Sequence, residues 1–310
     1  MTSVEPPAPG LKALWKARPA IYSRWAWLLM MALDPLPWPW GEAVFAKLFV
    51  AKALVGPSRL RSTLAWAGAQ SVAGLGRWRL ALSACAHHGR FVARQMLLGL
   101  RTPEDLRRRV VLLGEEHLNA VSKGAILLGF HLGPPGAAVA LRSAGHRVIW
   151  MGGMRTSRSW SSEAWRPVRE LVDDLSTSAE PTVVGGTLYR ARQLLLDGGL
   201  IYITADGVKG REAFRVELPG GAARIRSGWL VLRRQCGVPV LPVLTHLDGL
   251  TQVIVIHPPL PPQDPDPALD LTACRDVLAA LLEAYVRRFP VQCYGLTFPR
   301  GMATPPPGPA

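Results

Sequence analysis

Two residues with acid–base side chains follow apolar segments of the kind that form buried strands. His131 comes directly after residues 125–130 (AILLGF), and Asp206 comes soon after residues 200–204 (LIYIT). In a parallel sheet, ligands gather at the carboxyl ends of the strands. A helix is predicted to begin at Pro134, directly after the histidine. Its positive end would keep the imidazole neutral and therefore able to accept a proton.

The residues alone leave a structural interpretation open at both positions. A single histidine after a strand is often a structural hydrogen-bonding residue, and Asp206–Gly207 is typical of a turn. None of the histidines, including the pair His87–His88, shows metal-ligand spacing, so we expect no metal site. The four cysteines form no C-x-x-C motif, which excludes a zinc ribbon and a disulfide scaffold.

The elements that must position these residues alternate between strand and helix. The pattern predicts strands at 125–130, 146–151, 200–204, 214–218, 239–245 and 253–257, and helices at 134–144, 161–175, 187–196, 222–235 and 269–289. Such alternation is typical of an α/β fold with a mostly parallel mixed sheet that has helices on both faces. We therefore predict an α/β domain over residues 100–300. An N-terminal helical region (1–99) precedes it, and a disordered tail (301–310) follows.

The N-terminal region combines tryptophans with basic residues. Its longest uncharged apolar stretch, residues 25–33, is shorter than the roughly 20 residues that a membrane-spanning helix needs. Indole rings favour the headgroup layer, and cations are attracted to anionic lipid. These features predict attachment to an anionic membrane surface. The alternative is an amphipathic helical hairpin packed against its own domain. The residues concerned are Trp25, Trp27, Trp38 and Trp40, with Lys12, Lys16, Arg18 and Arg24 before them.

The positive charge does not favour nucleic acid as a partner. The chain has 36 Lys and Arg against 22 Asp and Glu, a net charge of +14. Phosphate-binding proteins cluster such residues on one face, whereas here the arginines are spread along the chain. No helix-turn-helix, RNA-recognition or zinc-finger pattern occurs. Pairs such as Arg233–Arg234 are interpreted as solvated helix faces.

Several segments, in order, resemble the bacterial lipid A late acyltransferase (lauroyl/myristoyl acyltransferase) family of the lysophospholipid acyltransferase superfamily. GAILLGFHLG resembles the family's apolar strand followed by His-Phe-Gly. Arg155 of MGGMR matches the family's arginine, and RARQLLLDGGLIYITADG matches its helix, Gly-Gly, strand and Asp. ARIRSGWLVLRRQCGVPVLPV and AYVRRFPVQCYG complete a likeness that runs from about Leu106 to Phe298.

The resemblance implies a glycerolipid acyltransferase-like fold and an acyl transfer. A fatty acyl group would move from a thioester of acyl carrier protein or coenzyme A to a hydroxyl of a glycolipid or lysophospholipid, with no tightly bound cofactor. His131 is implied as the general base. Substrate-binding roles, at the oxyanion or an acceptor phosphate, are implied for Arg155, Arg224, Arg226 and the backbone N–H of Gly133. The resemblance also implies a peripheral or monotopic protein on the cytoplasmic side of the cell inner membrane.

The chain departs from the family at one position. The family motif is His, four residues, then Asp or Glu, but Gly136 occupies the acid position. Three hypotheses follow. Asp206 orients His131 in place of that acid, or the acceptor supplies a carboxylate or phosphate. Alternatively, the protein is a catalytically inactive member of the fold that binds lipid or acyl chains.

Overall fold

The computed structural model describes residues 38–70, 74–97, 107–121, 123–151, 186–207 and 211–293. Three helices come first: α1 (Trp38–Val55), α2 (Pro57–Ala69) and α3 (Gly74–Leu97). The prediction of a helical region before residue 100 is therefore confirmed over the described residues. Within these residues, no helix combines the length and the apolarity needed to cross a membrane.

The remaining described residues form two sheets and five further helices. The large sheet contains β1 (Val110–Leu113), β2 (Ala125–Gly129), β3 (Val148–Met151), β4 (Leu200–Thr204), β7 (Val240–Asp248) and β8 (Thr251–Ile256), and a separate hairpin contains β5 (Glu212–Leu218) and β6 (Gly221–Arg226). The helices are α4 (Glu115–Asn119), α5 (Ala137–Ser143), α6 (Gly186–Leu196), α7 (Gly228–Cys236) and α8 (Pro267–Arg288), and a single 3₁₀ turn (Pro290–Gln292) follows α8.

The large sheet has the strand order β1-β8-β7-β2-β4-β3 among the described residues. Every neighbouring pair is parallel except β7 and β8, which form an antiparallel hairpin. Strand β2 lies near the middle and all five of its residues are buried, as expected for a parallel strand covered on both faces. The predicted mostly parallel mixed sheet is confirmed.

Helices cover both faces of this sheet. Along β2 the side chains alternate, so that Ile126 and Leu128 join one apolar cluster and Leu127 joins the other. The first cluster receives buried residues of α6, α7 and α8, including Trp229. The second receives residues of α4 and α5, including Leu141. The two-faced architecture follows from this period of two.

The N-terminal helices are joined to each other by a buried ion pair and to the sheet domain by partly buried hydrogen bonds. Arg94 of α3 pairs with Glu42 of α1 at 2.9 Å, and both side chains are buried. Arg94 also donates a hydrogen bond to the carbonyl of Leu250, in the β7–β8 turn, at 2.5 Å. Gln70, after α2, donates to the carbonyl of Pro219 at 2.7 Å. The described part of this region therefore packs on its own domain.

The predicted helix at 222–235 is wrong over its first half. Residues 222–226 belong to β6, which pairs with β5, and α7 begins only at Gly228. Gly220, at φ +83°, provides the turn. In β6 the buried Ala223 and Ile225 alternate with the more exposed Arg224 and Arg226, which is the period of a strand.

Two further differences concern the start of α5 and the edge of the sheet. The helix expected at Pro134 begins at Ala137, because Gly136 has φ +99° and interrupts the helical backbone. The edge strand β1 was not predicted. The helix expected at 161–175 lies outside the described residues.

Candidate functional site

The sheet brings His131 and Asp206 into contact. Strands β2 and β4 are parallel neighbours with Gly129 paired to Thr204, so the residues two positions beyond each partner lie at the same level. His131 Nδ1 is 2.9 Å from Asp206 Oδ1. An ionised carboxylate only accepts hydrogen bonds, so Nδ1 carries the ring hydrogen and donates a hydrogen bond to Asp206. Nε2 of the neutral ring then presents its lone pair.

Asp206 also holds the backbone of His131. The His131 N–H donates to Asp206 Oδ1 at 3.0 Å and to Oδ2 at 2.9 Å. Asp206 is buried, whereas the His131 side chain is 32% exposed. One carboxylate therefore fixes both the ring and the main chain, and leaves part of the imidazole accessible from outside.

The electrostatics of His131 differ from the sequence-based expectation. Burial lowers the pKa of His131, but the charge of Asp206 and its hydrogen bond raise it, and the net pKa lies above 6.5. The helix that was expected to keep the ring neutral starts later and has only seven residues. That expectation is wrong, because the neighbouring carboxylate dominates the site.

Of the arginines predicted to bind substrate, the structure places one beside Asp206 and another further along the hairpin. Arg226 lies beside the acid: its backbone N–H donates to the carbonyl of Ala205 at 2.7 Å, and its Nε donates to the carbonyl of Gly207 at 2.6 Å. Arg224 lies 3.6 Å from Glu212 across the hairpin. Neither opens a helix, contrary to expectation. Arg155 lies outside the described residues.

Comparison with known proteins gives a likeness among solved structures only. No family model matches the chain, and no curated protein matches it. Among solved structures it is similar to the 1-acyl-sn-glycerophosphate (LPA) acyltransferase PlsC from Thermotoga maritima. The sequence identity is 15% and the TM-score is 0.38, over 65% of this chain and 82% of that chain.

Gly133 packs against the protein interior. It has φ +79°, and a Cβ at this position would overlap the carbonyl oxygen of Thr245 and crowd the hydroxyl of Tyr285. Its N–H donates to the carbonyl of Gln292 at 3.1 Å. The N–H is therefore engaged within the protein, and Gly133 packs closely here, while the substrate-binding role expected for it stays a prediction.

Gly133→Ala is expected to lower the free energy of unfolding by about 1–3 kcal/mol more than Gly145→Ala, because only the first methyl meets backbone. Gly145 is the matched control: it has φ +102° and open space where its Cβ would lie, so it shares the backbone strain alone. Urea denaturation of the two variants measures the difference. Equal losses would show that the loop after His131 moves freely to accept the methyl.

Two polar residues that contact the loop after His131 were not among the predicted site residues. Thr245 Oγ1 donates to the carbonyl of Pro134 at 2.8 Å, and Gln252 Nε2 donates to that of Pro135 at 3.3 Å. The sequence feature that could have indicated them is a polar residue inside each of two apolar strands, Thr245 in LPVLTHL and Gln252 in TQVIVI. Over the described ranges, no group of three or more His, Cys, Asp or Glu side chains is arranged to hold a metal ion.

Proposed function

We propose that the chain is an O-acyltransferase of the lysophospholipid acyltransferase superfamily that transfers a fatty acyl group from a thioester to a lipid hydroxyl. The contact between His131 and Asp206 carries this proposal, because it supplies an oriented base at the carboxyl edge of a parallel sheet. The order of the sequence motifs, which resembles that of the lipid A late acyltransferases, supports the same chemistry.

His131 acts as the general base in the proposed reaction. Nε2 takes the proton of the acceptor hydroxyl while the oxygen attacks the thioester carbonyl. The resulting imidazolium is stabilised by Asp206. When the tetrahedral intermediate collapses, the C–S bond breaks and the proton passes from His131 to the leaving sulfur. The products are an ester and a free thiol.

Substrate recognition in the proposed reaction falls to basic residues. We propose that Arg155 and Arg226 stabilise the oxyanion or hold an acceptor phosphate, with Arg224 further along the same hairpin. The acceptor is a glycolipid or lysophospholipid, and the donor is acyl carrier protein or coenzyme A loaded with the acyl chain. No tightly bound cofactor takes part.

Attachment to a membrane surface completes the proposal. Helix α1 exposes Trp40 (63% exposed), Leu54 and Val55 together with Lys47 and Lys52, a mixture suited to an anionic headgroup layer. We propose that residues 1–99 meet the cytoplasmic side of the inner membrane and that residues 100–300 carry the chemistry, with 301–310 as a tail.

The proposed function is tested by thiol release from acyl-carrier-protein and acyl-coenzyme A thioesters, with total membrane lipid as acceptor. Thiol release is expected to require the lipid and to fall by roughly 10²- to 10⁴-fold in His131→Ala, because the base is removed. His146→Ala is the matched control, since His146 also contacts a carboxylate, Glu115, at 2.8 Å.

The two outcomes of this assay separate the candidate functions. New lipid esters found by mass spectrometry only when His131 is present would support the enzyme. Equal thiol release by the unaltered protein and His131→Ala across all donors would instead favour the catalytically inactive protein that binds lipid or acyl chains.

A further inference from the structure

The loop at residues 131–136 is fastened on the side opposite Asp206. Strand β7 is parallel to β2 with Val243 paired to Gly129, so Thr245 lies at the level of His131 on the other side of β2. Its Oγ1 donates to the carbonyl of Pro134 at 2.8 Å. The loop is therefore held between an acceptor that follows β4, Asp206, and a donor on β7.

A second strand reaches the same loop. Gln252 of β8 donates to the carbonyl of Pro135 at 3.3 Å. Prolines have no N–H, so their carbonyls are the only backbone groups through which these two loop residues can be hydrogen-bonded. Thr245 and Gln252 are both buried, and a buried polar side chain is costly without a partner. The two proline carbonyls of the loop therefore supply the hydrogen-bond partners that the buried side chains of Thr245 and Gln252 need.

The donors are themselves held in place. Tyr285 of α8 donates a hydrogen bond to the carbonyl of Thr245. Gln292, after α8, accepts from the N–H of Leu247 at 2.7 Å and donates to its carbonyl at 2.9 Å, while its own carbonyl accepts from the Gly133 N–H. The C-terminal elements thus fix β7 and the loop to each other.

We propose that Thr245 and Gln252 are positioning residues that hold the 131–136 loop so that His131 stays on Asp206. They supply from neighbouring strands the restraint that position 136, a glycine in this chain, does not supply from within the loop. This inference rests on the proposed function, in which His131 is the base. Among the described residues, Asp206 is the charged group that acts on His131. Tyr285, which donates to the Thr245 carbonyl on the β7 side, has its pKa raised well above 10 by burial.

The test compares Thr245→Val, Thr245→Ser and Thr63→Val. Valine keeps the shape of threonine but removes the donor, and serine restores it. Thr63→Val is the control, because Thr63 is a similarly buried threonine in α2 whose Oγ1 accepts a hydrogen bond from Cys85 Sγ of α3. The readouts are the pKa of His131, followed by NMR of its ring signals, and kcat/KM for thiol release.

In Thr245→Val the pKa of His131 is expected to fall, because a looser loop weakens the contact with Asp206 that raises it. The loss of one neutral hydrogen bond predicts a fall in kcat/KM of roughly 5- to 10-fold. Thr245→Ser should restore both values, and Thr63→Val should change neither. Gln252→Leu is a second variant with the same expected direction, should Thr245→Val fail to fold.

An unchanged His131 pKa in Thr245→Val and in Gln252→Leu would overturn the inference. The NMR readout needs no turnover, so it is independent of the proposed function. Absence of thiol release by the unaltered protein would reject the acyltransferase, while the shift in the His131 pKa would still decide whether the strands position this residue.

Discussion

Asp206→Asn is expected to lower kcat for acyl transfer by roughly 10³- to 10⁴-fold while the protein remains folded, the scale seen when the orienting acid of a catalytic histidine is replaced by its amide. Asp206 accepts hydrogen bonds from both the ring and the backbone N–H of His131. An amide offers one oxygen in place of two, and its NH₂ group favours the wrong tautomer of the imidazole. Steady-state thiol release measures the loss.

The control is Glu115→Gln, which alters the carboxylate that contacts His146 at 2.8 Å, outside the site. It should keep full activity. Wild-type rates in Asp206→Asn would instead support the hypothesis that the acceptor supplies the orienting carboxylate or phosphate. Adding Gly136→Asp to the Asp206→Asn variant should not restore activity, because φ +99° at position 136 is a conformation that aspartate rarely adopts.

The pH dependence of kcat/KM in the wild-type protein and in Asp206→Asn tests the contact between His131 and Asp206 independently. The base works only when neutral, so kcat/KM is expected to be lost as pH falls through the pKa of His131, which lies above 6.5. Removing the Asp206 charge should move this midpoint to lower pH. The free energy of unfolding depends on pH in the opposite direction. The contact contributes its full stabilisation below pH 6.5, and this contribution is lost as pH rises through the raised pKa of His131.

The contact between His131 and Asp206 could be suggested from the sequence, because the residues that determine it lie in two short local segments. Each residue follows a short apolar strand, and parallel strands end at the same sheet edge. The resemblance then made Asp206 the candidate for the acid missing at position 136. What the sequence left open was whether the two strands are neighbours, and the β2–β4 pairing answers that question.

Other features depended on long-range pairing that no local pattern reports. Residues 221–226 contain helix-forming alanine and arginine, yet they form a strand because β5 is available to pair with them. The contacts of Thr245 and Gln252 with the loop join residues more than 100 positions apart. Periodicity predicts elements, whereas these contacts depend on which elements become neighbours.

The interpretation of Arg233–Arg234 as a solvated helix face is wrong for Arg233, which is 3% exposed. Its guanidinium lies 3.0 Å from Asp270 of α8, and Arg234 lies 3.4 Å from the same carboxylate. Arg233 also donates to the carbonyl of Pro261, and Arg234 to that of Pro265. Asp270 thus joins α7, α8 and the proline-rich connection between β8 and α8.

Asp270→Ala is therefore expected to lower the free energy of unfolding by about 3–5 kcal/mol, because it leaves the buried guanidinium of Arg233 without its counterion. This is a large share of the roughly 5–15 kcal/mol that holds a typical domain folded. Urea denaturation of the full chain measures the change. Asp276→Ala is the control, since that exposed carboxylate of the same helix pairs with Arg275 at 2.9 Å and should cost less than about 1 kcal/mol.

A double variant separates the cost of leaving Arg233 unpaired from the net contribution of the Arg233–Asp270 ion pair to the free energy of unfolding. Asp270→Leu combined with Arg233→Met removes both buried charges and leaves apolar side chains of similar volume. Replacements of this kind are often neutral or stabilising, so the double variant should recover most of the loss seen in Asp270→Ala. A double variant as unstable as Asp270→Ala would show that the hydrogen bond from Arg233 to Pro261, and not the uncompensated charge, anchors the connection.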